Sequence, residues 1–159
     1  MTEGPRERTW PVPNFRELIR AQLRQGLTTS DIALTLALGA TLGLFPIVGA
    51  TTALCALAAL VLRLNQPLMQ AVNYALSPLQ LLLLIPFYRA GERLFGAAPV
   101  PIVDVAELAR RFAAGPWQFL ADYGRVGLYG ITVWALLAPA VSLGVYALAL
   151  PLLRGIARK

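Results

Sequence analysis

The amides and hydroxyl of Gln66, Gln70, Asn73, Ser77 and Gln80 are the polar side chains whose spacing most invites a chemical reading, separated by four, three, four and three positions. On a helix turning about 100° per residue all five fall within an arc of about 80°, so one face carries a polar stripe. In apolar surroundings such groups either hydrogen-bond to a neighbouring helix or line a polar path for a substrate, water or lipid headgroup. Covalent chemistry finds less to work with. The chain has no histidine, which removes imidazole acid–base, triad and imidazole–metal chemistry. Cys55 is the single cysteine; it has no base to activate it, cannot form an internal disulfide and reads as a packed apolar residue. No glycine-rich phosphate loop with its lysine occurs. Asp31 and Glu92 lie at opposite ends of the apolar block, Asp31 suited to cap a helix and Glu92 to pair with Arg89 or Arg93. The expectation is a non-enzymatic protein with no catalytic residue, no metal and no cofactor.

The elements that must position the stripe are apolar to an unusual degree. Of 159 residues 57% are hydrophobic and 14% charged, with a mean hydropathy of +0.63, whereas soluble domains carry about 25% charged residues. Residues 32–62, 64–88 and 126–153 contain no charge, and each run holds a proline near its middle: Pro46, Pro78 and Pro139. A helix through the first run would reach roughly 45 Å at about 1.5 Å per residue, longer than a hydrocarbon core of about 30 Å. Pro46 removes a helical donor and disfavours helix at Phe45, and Gly49 permits a turn, so a break at Phe45, Pro46 and Gly49 is expected. Within a bilayer such a break has to be sheltered by protein or water. The fold class expected is all-α: a polytopic membrane helical protein with Pro/Gly-broken helices, re-entrant in one reading, and two amphipathic interfacial helices. Pro139 either kinks the last run or folds it back into a hairpin.

Gly39 and Gly43 form a G-x-x-x-G pair extended by Ala33, Ala37 and Ala40, a small surface suited to close packing inside the chain or between copies. The first 13 residues, with Pro5, Pro11 and Pro13, read as an irregular arm. Asn14 then caps a helix over 14–27 with Phe15, Leu18, Ile19 and Leu23 on one face and Arg16, Arg20 and Arg24 on another, suited to lie on the anionic inner leaflet. A second amphipathic stretch begins at Asp104, with Val105, Leu108 and Phe112 on one face, and Gly115-Pro116 breaks it before Trp117, Phe119, Leu120 and Tyr123. The net charge is +6, but the basic residues flank apolar runs as membrane anchors do, so nucleic acid is not expected as a partner. On that distribution the N-terminus and the segment 89–125 are expected on the same, cytoplasmic side, a condition met by two spans or by two hairpins before Arg89. A charged helix ahead of a run far longer than a signal-peptide core argues for insertion without cleavage.

Taken in order, Ser30-Asp31-Ile32-Ala33, Gly39-Ala40, Gly43-Leu44-Phe45-Pro46-Ile47-Val48-Gly49, Leu62-Arg63-Leu64-Asn65-Gln66-Pro67, Ser77-Pro78 and Tyr88-Arg89-Ala90-Gly91 resemble the bacterial membrane family called domain of unknown function 2062. The resemblance covers roughly residues 28–96. It implies a multi-pass bacterial inner-membrane protein without an established activity, in a cell-envelope context because related domains occur beside glycosyltransferase modules. Where family members commonly carry Asn-Pro, this chain has Ser77-Pro78, with its asparagine at Asn73, so a contact made by the family's asparagine is here supplied by Ser77 or moved. The expected organisation is an arm (1–13), a surface helix (14–27), a membrane core (28–96), an amphipathic connector (97–125) and a C-terminal hydrophobic helix or broken hairpin with a basic tail (126–159). Two functions fit: a small transporter or lipid-handling protein whose break and stripe share a polar intramembrane cavity, or a non-catalytic scaffold for an envelope enzyme of the glycosyltransferase type. Partners expected are membrane lipids, with a homo-oligomer or an envelope enzyme as further possibilities.

Overall fold

The computed structural model describes residues 26–101 and 104–157, and among them every regular element is a helix. The elements are α1 (Thr29–Gly43), α2 (Ala50–Leu62), α3 (Gln66–Leu94), α4 (Val105–Ala114) and α5 (Pro116–Ala157). The arm over 1–13 and all but the end of the surface helix over 14–27 lie outside the described residues.

Each boundary has a local cause. Thr28 and Asp31 form a reciprocal capping box: the Asp31 N–H donates to Thr28 Oγ1 at 3.1 Å, and the Thr28 N–H donates to the Asp31 carboxylate at 3.0 Å. The Thr28 hydroxyl donates to the same carboxylate, and these bonds hold the Asp31 carboxyl below its ordinary range. α1 stops after Gly43, Pro46 is buried in the segment that follows, and Gly49 at φ 88° reverses the chain into α2. That φ is the left-handed region, which only glycine enters cheaply. α2 ends at Arg63, itself left-handed at φ 53°. Asn65 then caps α3 by accepting from the Leu68 N–H at 2.8 Å, with Pro67 in the first turn, where its missing donor costs nothing. Asp104 caps α4 through two bonds of 3.0 Å, from the Ala106 and Glu107 N–H groups.

Pro78 and Pro86 lie inside α3, and Pro139 and Pro151 inside α5, without ending either helix. Of the two readings of Pro139, the structure has the one without a fold-back, a continuous helix of 42 residues that starts at Pro116, and the boundary placed at residue 125 falls within it. A proline deletes one intrahelical bond and crowds one carbonyl, whereas reversal also needs a residue that tolerates an unusual φ.

α1 and α3 run side by side in the same direction: a Cβ on Gly39 would meet Val72 at 3.2 Å, and one on Gly43 would meet Asn73 at 3.2 Å. The G-x-x-x-G surface is thus occupied within the chain. α2 returns antiparallel along α3, where Cys55, Ala59 and Met69 form one small core. α5 runs antiparallel to α1 and α3, joining Ile32 and Ala33 to Ala149 and Leu153, with Leu27 and Leu68 packed around them. At the other end Phe95 stacks on Tyr129 with centroids 4.6 Å apart, and the Tyr123 hydroxyl donates to the Pro101 carbonyl at 3.0 Å.

Residue 28, Arg63 and residue 157 consequently gather at one end of the bundle, and residues 89–125 at the other. The expectation that the N-terminal side and the 89–125 segment share an end is overturned. The α1–α2 hairpin brings the chain back to where it began, and α3 then runs uninterrupted through Pro78 and Pro86, so that segment comes to lie at the far end of the bundle from residue 28.

Two helices, α3 and α5, are long and apolar enough to cross a membrane; only 17% and 6% of the residues in their most apolar windows are buried within the protein. Leu82, Leu136, Leu143 and Leu148 are among many large apolar side chains facing outward.

Candidate functional site

The chain leaves helical geometry between Gly43 and Ala50, so the carbonyls near the end of α1 lose their intrahelical donors. Side chains of α3 and α5 supply replacements. Trp134 Nε1 donates to the Thr41 carbonyl at 2.9 Å, Gln80 Nε2 to that of Phe45 at 2.9 Å, and the Tyr88 hydroxyl to that of Pro46 at 2.6 Å. Phe45 also meets the Trp134 ring edge-on, with centroids 5.0 Å apart at 87°. Pro46 is buried, while Ile47, Val48 and Gly49 at the tip of the turn are exposed. The break is therefore held from two sides: polar tips on its carbonyls and aromatic faces on its apolar residues.

The rest of the polar stripe divides. Gln70 Nε2 donates to the Thr52 carbonyl in the first turn of α2 at 2.9 Å, and the Asn73 amide donates to Gln70 Oε1 at 3.2 Å and to Thr52 Oγ1 at 3.5 Å. Asn73 is 1% exposed, and its Oδ1 has no hydrogen-bond partner among the described residues. Ser77 turns inward on its own helix, donating to the Asn73 carbonyl at 3.3 Å, so the contact to another helix is made from the Asn73 position and not from Ser77. Gln66 sits exposed at the start of α3, away from the break. Gln70, Asn73 and Gln80 thus converge on the α1–α2 hairpin, and Gln66 and Ser77 do not. Sequence reasoning missed Tyr88 and Trp134. Their signal was present: an aromatic with a polar tip inside a charge-free run needs a buried acceptor for that tip.

Gly91 and Gly130 were also missed. A Cβ on Gly91 would lie 2.6 Å from the Tyr129 backbone, and one on Gly130 would lie 2.5 Å from the Tyr88 ring. These two glycines let α3 and α5 approach closely enough for Tyr88 to reach the Pro46 carbonyl.

Three cavities flank this framework. One, of about 190 Å³, is an apolar groove bordered by Leu44, Leu83, Phe87, Trp134, Leu137 and Val141, with Thr41 and Ala138 completing its wall. A second, of about 240 Å³, lies beyond the end of the apolar region among Glu92, Asp122, Arg125 and Tyr129. The third, of about 270 Å³, opens at the corner of α4 and α5 among Arg111, Gln118, Phe119 and Tyr123. None of the three is lined by a residue of the polar stripe.

Glu92 is 2% exposed and fully engaged: it pairs with Arg89 at 2.7 Å and accepts from the Val100 N–H at 2.8 Å. Asp31 and Glu92 stand at opposite ends of the bundle. Glu107 bridges Arg110 and Arg111, which keeps the Glu107 carboxyl below its usual range and the Arg111 guanidinium above its own.

Residues 14–159 match the family described as an uncharacterized protein conserved in bacteria, DUF2062. The chain belongs to that family. The match extends well beyond residues 28–96, taking in α4 and α5, so the helices that clamp the break are part of what the DUF2062 family shares in extent. No curated protein and no solved structure matches the chain.

Proposed function

We propose that this DUF2062 protein is a multi-pass protein of the bacterial inner membrane that handles lipid without covalent chemistry, seating an acyl chain in the groove beside the broken helix. A re-entrant α1–α2 hairpin is part of this reading: at about 1.5 Å per residue its arms reach roughly 22 and 20 Å, short of a core of about 30 Å. The outward-facing leucines of α3 and α5 support the membrane, since a soluble protein would bury such helices.

The observation that carries the lipid reading is the groove, about 190 Å³ in volume and walled by Leu44, Leu83, Phe87 and Trp134. It lies against the break. By contrast, Gln70 and Gln80, which a polar conduit would need, are committed to backbone carbonyls. Of the two uses of a polar stripe, helix-to-helix bonding is the one these contacts support.

Reconstitution with a phospholipid carrying a diazirine on its acyl chain, followed by mass spectrometry, tests this. Cross-links are expected on peptides holding Phe87 and Leu137 above those on Leu148, and Ala138→Trp, which fills the groove, should remove the excess. Uniform labelling of all outward-facing apolar positions would refute the lipid site. Copurification of an envelope enzyme with no groove-specific lipid would favour the scaffold reading, for which the outward face of α2 at Leu57, Leu60 and Val61 is the available surface.

A further inference from the structure

The corner joining α4 to α5 is rich in aromatic and apolar side chains, and it stands at the opposite end of the bundle from residues 28 and 157. Phe112 meets Phe119 edge-on at 5.5 Å, Phe119 stacks on Tyr123 at 4.2 Å, and Trp117 projects outward at 85% exposure. Phe112 and Leu120 are each more than half exposed. α5, which leads directly from this corner, is the more apolar of the two helices long enough to cross a membrane. Exposed aromatics bordering an apolar span, with charged groups just beyond, match the composition of a lipid–water interface.

Charge separates along the same axis. In the sequence, nine of the fourteen basic residues lie outside 89–125: five arginines precede residue 31, Arg63 and Arg154 stand at the other end, and Arg158 and Lys159 follow residue 157; four of the eight acidic residues, Glu3, Glu7, Glu17 and Asp31, lie outside that segment too. The segment 89–125 holds the remaining five, offset by four acidic residues. Three pairs within it are Arg89–Glu92, Arg111–Glu107 and Arg125–Asp122, each 2.7 Å apart. Basic residues near span ends favour the cytoplasmic face, so the end carrying more of them is retained inside.

From these two observations we infer that the α4–α5 corner is an interfacial anchor on the outer leaflet of the inner membrane, docking on zwitterionic lipid headgroups through Phe112, Trp117 and Leu120. The pocket among Glu92, Asp122 and Arg125 then opens to the extracytoplasmic side. The inference rests on the membrane reading but not on lipid occupying the groove.

Single-cysteine labelling tests the orientation in the otherwise unchanged chain, where buried Cys55 serves as the blank. Ala113→Cys lies exposed on α4, and Gly155→Cys stands in open space near the end of α5. With a membrane-impermeant maleimide on spheroplasts, Ala113→Cys is expected to label as fully before lysis as after, and Gly155→Cys only after. The reverse pattern, or label at both sites only after lysis, overturns the orientation while leaving the groove proposal standing. Recovery of the protein in the soluble fraction would overturn both. Anchoring is read separately, as slow backbone hydrogen exchange over residues 105–114 in phosphatidylcholine vesicles that accelerates in a Phe112→Ser, Trp117→Ser variant; equal exchange in the two refutes it.

Discussion

Replacing Gln80 with leucine isolates the role of the stripe, because the side chain is 5% exposed and its amide donates to the Phe45 carbonyl at the break. Leucine is close in volume and apolar, so packing changes little and the loss is chiefly that bond. A hydrogen bond between helices in a membrane contributes roughly 0.6–2 kcal/mol, and the Phe45 carbonyl, which also accepts from the Ile47 N–H at 2.9 Å, keeps one donor when Gln80 is lost, so no cost for an orphaned acceptor is added. A loss of about 1–2 kcal/mol in Gln80→Leu is therefore expected, a five- to thirtyfold shift in the folding equilibrium. Gln66→Leu is the control: it stands exposed at the start of α3 and should change stability by less than about 0.5 kcal/mol. Tyr88→Phe removes the neighbouring donor, to the Pro46 carbonyl, and combining it with Gln80→Leu should loosen the hairpin further than either change alone. The assay is the folded fraction in mixed micelles titrated with a denaturing detergent, read by near-UV circular dichroism. Equal midpoints for Gln80→Leu and Gln66→Leu, or a more stable Gln80→Leu, would refute the view that the stripe exists to satisfy the broken backbone.

Two glycine substitutions should move in opposite directions in the same assay. Gly91→Ala places a methyl 2.6 Å from the Tyr129 backbone, which cannot give way as a flexible side chain would, and a loss of about 1–3 kcal/mol is expected. Gly144→Ala meets nothing within 4 Å on the outer side of α5, and removing a helical glycine should gain up to about 1 kcal/mol. A third prediction concerns pH. The folded-state pKa of Asp31 is depressed by its bonds to Thr28, so the stability it contributes is complete above its unfolded value, near the ordinary aspartate range, and is lost as pH falls through the lower folded value. Amide exchange in the first turn of α1 should accelerate on acidification across that window in the wild type, and Thr28→Ala should shrink the effect; an identical profile in the variant would refute the capping-box account.

The places where the amino-acid pattern was legible are those where one residue type has one mechanical consequence. Asp31 after Thr28 and Asp104 ahead of Glu107 belong to caps whose hydrogen bonds form within one turn of the helix, and each marks a helix start; Asn65 caps α3 in the same way, though its pattern was not read as a cap. The stripe was visible through its period. Its partners were not, because Thr52 and Phe45 receive the donors of Gln70 and Gln80 through backbone carbonyls, and a carbonyl leaves no mark in a sequence. Tyr88 and Trp134 carried the mark of a polar tip in an apolar run, but which carbonyl each would reach was hidden for the same reason, and the crossing at Gly91 and Gly130 because each lies in an ordinary-looking run with its partner about forty positions away.

The direction of the 89–125 segment shows where local reading stops being sufficient. Its side depends on how many prolines reverse the chain, and Pro46, Pro78, Pro86, Pro139 and Pro151 all remove the same hydrogen bond. What separates Pro46 is its company. Gly49 follows three positions later and takes φ 88°, while among the described residues no glycine lies within three positions after any of the other four. A proline alone costs a helix one donor, which neighbouring groups in a packed bundle can absorb; a reversal also needs a residue that enters left-handed space and side chains that take over the abandoned carbonyls. Here Gly49 supplies the first, and Gln80, Tyr88 and Trp134 the second. The same pairing of a proline with a nearby glycine accounts for the hairpin's position and hence for the separation of residues 28 and 157 from the aromatic corner.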